Sequence, residues 1–310
     1  MGALIKACQK SGSIKNTRSE CHESMGPTVL LIAVPPGATW TETEMADFKT
    51  YLTNQIHAAK ASRFYPLFGP DVPIRKITPS KESDVIPVQE DGTPIFVRYG
   101  SITRVFGTTE GGLCFAEALM SLNKAGYNII EVDNADQVLF RDNGDGTFSA
   151  LKTTFMYSPS PDVADLKNPG YTYFQISYRP EEYVKYGTIW QDDSGIVNLV
   201  GLLDAAVTDA TGSTTTKLKV GVETVCGLTD LVATSLATPL ATVSNFIVKL
   251  KSTGAVQTIT AAAVNSGHIE LTGTFTSGAV YTVALAAPSV LLTNNVPGYE
   301  GLVSVDITIP

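Results

Sequence analysis

Thr28-Val-Leu-Leu-Ile-Ala-Val34 is a short apolar run closed by Pro35-Pro36-Gly37, which predicts a buried strand between breakers. Thr41 and Glu44 stand at capping-box spacing. Met45, Phe48, Leu52, Ile56 and Ala59 then recur every three or four residues, predicting one amphipathic helix to about Lys60. Six prolines between Pro66 and Pro94 predict a long irregular loop (about 66–94), of a length suited to an arm that reaches a neighbouring subunit. Thr93–Tyr99 and Ile102–Phe106 alternate as strands. Gly111-Gly112 opens a helix over Leu113–Ala125, with Phe115, Leu119 and Leu122 on one face and Gly126 as its stop. Tyr127–Val132, Gln137–Arg141, Thr147–Tyr157, Tyr171–Tyr178 and Tyr183–Trp190 read as further strands, with a hairpin turn at Asp142-Asn-Gly-Asp-Gly146.

Beyond Gly195 the helical period is lost. Strands are expected at Ile196–Leu203, Thr215–Val225, Asn245–Lys251, Val256–Ala262, His268–Thr274, Val280–Leu285 and Leu302–Ile309. Turns at Asn265-Ser-Gly267 and Thr276-Ser-Gly278 fall at roughly β-sandwich spacing, and about seven strands fit an immunoglobulin-like module. Gly227–Ser244 carries no clear period. The fold class that follows is α+β and mainly β.

Composition supports two domains. Beyond Trp190 the only aromatic residues are Phe246, Phe275, Tyr281 and Tyr299, and arginine is absent. Gln191-Asp192-Asp193-Ser194-Gly195 marks the change, so the domains expected are 1–190 and 191–310. Charged residues are 17% of the chain and the net charge is −8, a balance unsuited to gripping nucleic-acid phosphates. Lys6 interrupts the first apolar run, so no secretory signal is expected. Leu271–Tyr299 is uncharged, but Gly273, Gly278 and Pro288 interrupt it, leaving no spanning segment and a soluble expectation.

The candidate chemistry is sparse. Cys114 at a helix N-terminus has the placement of an activated thiol, yet His22, His57 and His268 are not spaced to serve it, and a buried core cysteine is the favoured reading. Asp142–Gly146 has calcium-loop composition, but glycines interrupt the ligand spacing and a hairpin turn is favoured. Asp192 and Asp193 read as linker, and Gly107–Gly112 lacks the Lys-Ser/Thr of a phosphate loop. Cys8, Cys21 and His22 offer too few ligands for zinc. Arg98, Tyr99, Arg104 and Phe106 combine bases and aromatics, as single-strand binders do, but a solvated sheet face or an intersubunit ion pair is favoured. No catalytic, cofactor-binding or metal residue is assigned, and no enzyme is expected.

The helix Leu113–Ala125 among strands, the Pro66–Pro94 loop and the β-rich segment Ile196–Pro310 together resemble phage virion structural proteins, above all major tail tube proteins with a C-terminal immunoglobulin-like domain. The resemblance implies a tail-tube-like β-sandwich or barrel domain with flanking helices, decorated by an immunoglobulin-like β-sandwich. It also implies stacked homo-oligomeric rings, hexameric in a tube, that contact other virion proteins. Such a virion component is assembled in the host cytoplasm and conducts DNA during ejection as non-sticking cargo, with acidic residues expected towards the lumen. A connector ring, a capsid decoration protein and a surface adhesion module with an immunoglobulin-like domain are the alternatives.

Overall fold

The computed structural model describes residues 3–5, 25–91, 93–123, 126–164, 170–192 and 194–310. Two compact units divide the chain: Met1–Ile56 with Ala61–Val200, and His57–Lys60 with Gly201–Pro310. Strands dominate both, with short helices between them.

In the first unit the strands are β1 (Ala3–Ile5), β2 (Thr28–Val34), β3 (Thr39–Thr41), β4 (Tyr65–Phe68), β5 (Lys76–Lys81) and β6 (Ile102–Thr108). They continue with β7 (Asn128–Asp133), β8 (Gln137–Asp142), β9 (Thr147–Ser149), β10 (Thr153–Tyr157), β11 (Thr172–Tyr178) and β12 (Gly187–Gln191). The helices are α1 (Glu42–Met45), α2 (Phe48–Ile56) and α3 (Gly112–Ser121). The larger sheet runs β1-β12-β8-β7-β2-β4, with β9 pairing both β8 and β3; the smaller runs β10-β11-β6-β5.

The larger sheet is buried on both faces, which is why β2 reads as a continuous apolar run rather than an alternating one. Between the sheets lie Leu31, Phe68, Phe106, Ile129, Leu139, Met156, Phe174 and Ile176, joined by Leu119 of α3. A separate aromatic cluster joins Trp40, Phe48 and Phe64 to Phe140, with ring centroids 5.7 Å apart for Trp40–Phe48 and for Trp40–Phe140. All four are at most 1% exposed. Truncating such a ring to alanine costs roughly 3–5 kcal/mol.

The single helix expected over Thr41–Lys60 is two. Glu44 Oε2 accepts the Thr41 N–H at 2.6 Å, completing the anticipated cap, but the turn ends at Met45. Asp47 Oδ1 then accepts the Thr50 N–H at 3.3 Å and caps a second start. The apolar face is unbroken: Met45, Phe48, Leu52 and Ile56 are all buried. α3 begins where expected; Gly111 enters it at φ 87°, and a Cβ there would lie 2.6 Å from Phe115 Cβ. It ends at Ser121, with Leu122 as its C-cap, short of the end expected at Ala125.

Thr147–Tyr157 is likewise two strands, in different sheets. β9 pairs with β8, Ala150 and Leu151 cross fully buried, and β10 pairs with β11. Leu151 is held at the crossing by reciprocal backbone hydrogen bonds with Ile129, both 2.9 Å. Tyr183–Trp190 is a π-helical turn at Glu182–Tyr186 followed by β12, rather than strand throughout. The strand expected at Ile196–Leu203 begins only at Leu203: a 3-10 turn covers Ile196–Asn198, entered through Gly195 at φ 76°.

In the second unit the strands are β13 (Leu203–Asp209), β14 (Lys217–Thr224), β15 (Phe246–Leu250), β16 (Ile259–Asn265), β17 (His268–Gly273), β18 (Val280–Leu285), β19 (Tyr299–Val303) and β20 (Val305–Thr308). One sheet runs β16-β17-β14-β13-β19, the other β15-β18-β20. Inward residues of both, including Leu218, Val220, Val222, Val248, Ile269, Leu271, Tyr281 and Val283, form a single core. β16 begins three residues later than expected, because Val256 makes an isolated bridge to Lys249 instead. Leu302–Ile309 divides at Ser304, with β19 in one sheet and β20 in the other. Gly301 permits this: a Cβ there would come within 2.7 Å of Leu285 Cβ.

The segment without a clear period holds short turns of helix, α4 (Ala237–Leu240) among them, whose Leu231, Val232 and Leu240 plug the core. A last helix, α5 (Pro288–Thr293), also lies in the half where none was expected; Pro288 occupies its first turn. No described helix is long and apolar enough to cross a membrane.

Candidate assembly interface

The Pro66–Pro94 segment, expected as one irregular loop, holds the strands β4 and β5; only its remainder is irregular. After β4 and β5 the chain extends as a two-stranded arm from Glu82 to Ser101. Val85 N donates to Arg98 O, and Val85 O accepts from Val97 N, both at 2.9 Å. Towards the tip, Ile95 N donates to Pro87 O and Gln89 N to Thr93 O, each 2.9 Å. Asp91 Oδ1 accepts the Thr93 N–H at 2.8 Å, which holds its carboxyl below the usual range. At the base a Cβ on Gly100 would lie 1.9 Å from Glu82 O, so only glycine lets the legs come this close.

The prolines explain the missing regularity. Pro87 and Pro94 lack the N–H a continuous ladder needs, so Thr93–Tyr99 pairs through isolated bridges rather than as a strand.

What distinguishes the arm is its side chains. Val85, Ile86, Val88, Ile95, Phe96, Val97 and Tyr99 are exposed, Val88 to 65% and Phe96 to 50%. Phe96 and Tyr99 have ring centroids 4.5 Å apart. A lone two-stranded ribbon is at best marginally stable in water, and a continuous exposed apolar surface marks an interaction site.

The four-stranded sheet from which the arm springs has β5 and β10 as its edges, neither with a further partner among the described residues. By strand alternation its outward face carries Thr78, Ser80, Thr103, Val105, Gln175, Phe155, Tyr157 and Tyr173. Lys76, 5.6 Å from the centroids of Tyr171 and Tyr173, is its one charged strand residue. The other face carries a buried charge. Glu131 is fully buried and accepts from Arg104 Nη1, from Thr28 Oγ1 at 2.8 Å and from the Tyr178 hydroxyl at 3.0 Å. Burial first, and then the charge of Glu131, pushes the Tyr178 hydroxyl well above its ordinary pKa, so it stays a donor. Arg104 therefore pins the two sheets together, instead of standing on a solvated face or in an intersubunit pair. Glu131 was missed in the sequence; its signal was a lone acid inside the apolar run Ile129-Ile-Glu-Val132.

At the base of the arm Arg98, Tyr99, Ser101, Arg179, Glu181 and Tyr186 line a cavity of about 510 Å³. Glu182, on the π-helical turn, is committed to Arg141, whose guanidinium also lies 4.0 Å from the Tyr186 ring centroid. Arg98 and Arg179 have no carboxylate within 4.0 Å among the described residues.

The remaining candidates do not converge. Cys114 is exposed rather than in the core, because Phe115, Ala116 and Leu119 take the inward face of α3, and it is disulfide-bonded, as is Cys226. Its sulfur is therefore not a thiol nucleophile. His57 is buried; His268 Nε2 lies 3.6 Å from Glu270 Oε1. Asp142 and Asp145 spend their carboxylates on the turn itself, accepting from Gly144 N at 2.8 Å and Thr147 N at 2.9 Å. Glu110, in the glycine-rich segment, pairs with Arg75 at 2.5 Å, and Asp192 accepts the Ser194 N–H at 2.6 Å. Among the described residues no three His, Cys, Asp or Glu side chains gather as a metal site. Cys8, Cys21, His22 and Asp193 lie outside the described residues.

No model of a known protein family matches the chain, and no curated protein matches it.

Proposed function

We propose that the chain is a self-assembling structural virion protein of the tail tube type, whose first unit forms the ring and whose second is an outer immunoglobulin-like domain. The observation that carries this reading is the apolar arm. Seven large apolar side chains on a ribbon that cannot cover them itself call for a protein surface, and a second copy is always at hand in a homo-oligomer. The open-edged four-stranded sheet supports it: joining the edges of successive copies into a closed barrel removes both edges. Pro79 lies on one edge strand, the position where a missing N–H is tolerated.

In this reading the outward face of that sheet lines the channel. Acidic residues are then not what keeps DNA moving, because the face bears hydroxyls, an amide, aromatics and one lysine. DNA slides because few cations are present to release its counterions. The protein is no enzyme; its work is mechanical, in the virion after assembly in the host cytoplasm. Disulfides at Cys114 and Cys226 suit a particle that spends time outside a reducing cytosol. The same disulfides favour a second reading, a cell-surface adhesion module.

Electron microscopy of the purified protein tests the proposal. Rings or tubes with a central channel are expected. Dispersed monomers at high concentration would overturn it and leave the adhesion reading.

A further inference from the structure

Resting on the assembly reading, we infer that the tip of the arm docks in the Arg98–Arg179 cavity of a neighbouring copy, with Glu90 and Asp91 meeting the two guanidiniums. Both ends of this contact are present in one chain. The tip is acidic and exposed, and the Thr93 hydrogen bond keeps Asp91 ionised. The cavity is large enough for a turn and holds two guanidiniums without a carboxylate partner among the described residues. Its own acids leave a positive balance, since Glu182 is neutralised by Arg141 and only Glu181 remains to oppose Arg98 and Arg179. Tyr99 and Tyr186 supply apolar walls for the stem.

Length excludes an internal solution. Glu82 to Glu90 spans eight residue steps, which at extended geometry is about 26 Å, so a tip held out by the ladder cannot return to a cavity at its own root. The partner must be another copy. Tip and cavity are different surfaces, so the contact is head-to-tail and propagates around a ring or from ring to ring until closure. Charge at the tip then selects the register, and the apolar stem supplies the burial that charge pairs alone do not.

Charge reversal on the full chain tests this. One variant carries Glu90→Lys with Asp91→Lys, another Arg98→Glu with Arg179→Glu, and a third all four changes; tryptophan fluorescence verifies that each is folded. Sedimentation and electron microscopy then follow assembly against concentration. Each two-site reversal is expected to raise the concentration needed for assembly about tenfold or more, and the four-site variant to recover most of that loss. Wild-type assembly matched by both two-site variants would overturn the docking contact and leave the assembly reading standing. Wild-type protein that never assembles would overturn both.

Discussion

Replacing Glu131 by alanine is expected to unfold the first unit well before the second. In the folded chain Glu131 is fully buried and takes hydrogen bonds from Arg104, Thr28 and Tyr178. The substitution strands a guanidinium that is mostly buried, its side chain 16% exposed, and leaves the fully buried Tyr178 hydroxyl without its acceptor. Removing one partner of a buried pair costs about 3–5 kcal/mol. For a unit of this size each kcal/mol lowers the melting temperature by about 2–4 °C, so a fall of roughly 6–20 °C follows. Trp40 and Trp190 both lie in the first unit and are the chain's two tryptophans, so their fluorescence in a urea titration reads that unit alone. Glu131→Met combined with Arg104→Met removes both charges and should recover much of the loss. A midpoint for Glu131→Ala equivalent to less than about 1 kcal/mol, against that floor, would refute the pin.

Burial and then Glu44 push the Tyr51 hydroxyl up from 10.0 to about 12, and burial raises Tyr178 as well. A raised native value means the contribution to stability is complete below pH 10 and is lost as pH climbs through about 12; a urea midpoint that stays level across that window would contradict it. Asn245 is fully buried and bonds Pro239 O at 2.9 Å, Leu240 O at 3.2 Å and the Asn294 amide at 2.7 Å. Asn245→Ala should cost the second unit about 1–3 kcal/mol per group left unsatisfied, seen by calorimetry while the tryptophan transition stays in place. Cys114 should resist thiol reagents in the oxidised protein and label rapidly after reduction, exposed as it is; labelling without reductant would show a free thiol.

Local patterns were readable wherever an element buries one face or is buried throughout. The β2 run, the Phe48–Leu52–Ile56 stripe, the Phe115–Leu119 face and the β8-β9 hairpin followed from spacing alone. Crossings between sheets were not. Thr147–Tyr157 has the same alternation whether its ends share a sheet or part at Leu151, because the period carries no label for the partner strand. Leu302–Ile309 failed for the same reason at Ser304. α5 spans only six residues, too few for a period to show. The arm was half readable: its prolines announced irregularity and a reach outward, but the pairing of Val85 with Arg98 is a long-range fact. Arg104 was noticed; its partner was not, because the lone acid in an apolar run marks burial without naming the cation it meets.

The outermost pairing of the larger sheet sets a schedule for synthesis. Leu4 stands opposite Trp190, and Ile5 opposite Ile189. β1, the first described strand of its unit, thus waits for β12, the last described, roughly 10–40 s at ordinary translation speeds. Once β8 is made and until β12 emerges, the β8 edge that β12 will cover is open, and the nascent chain holds an unsealed sheet beside an apolar arm already synthesised. A host producing many copies at once would need to keep these chains apart, so expression yield should depend more on translation rate and chaperone supply than on the final stability of the fold.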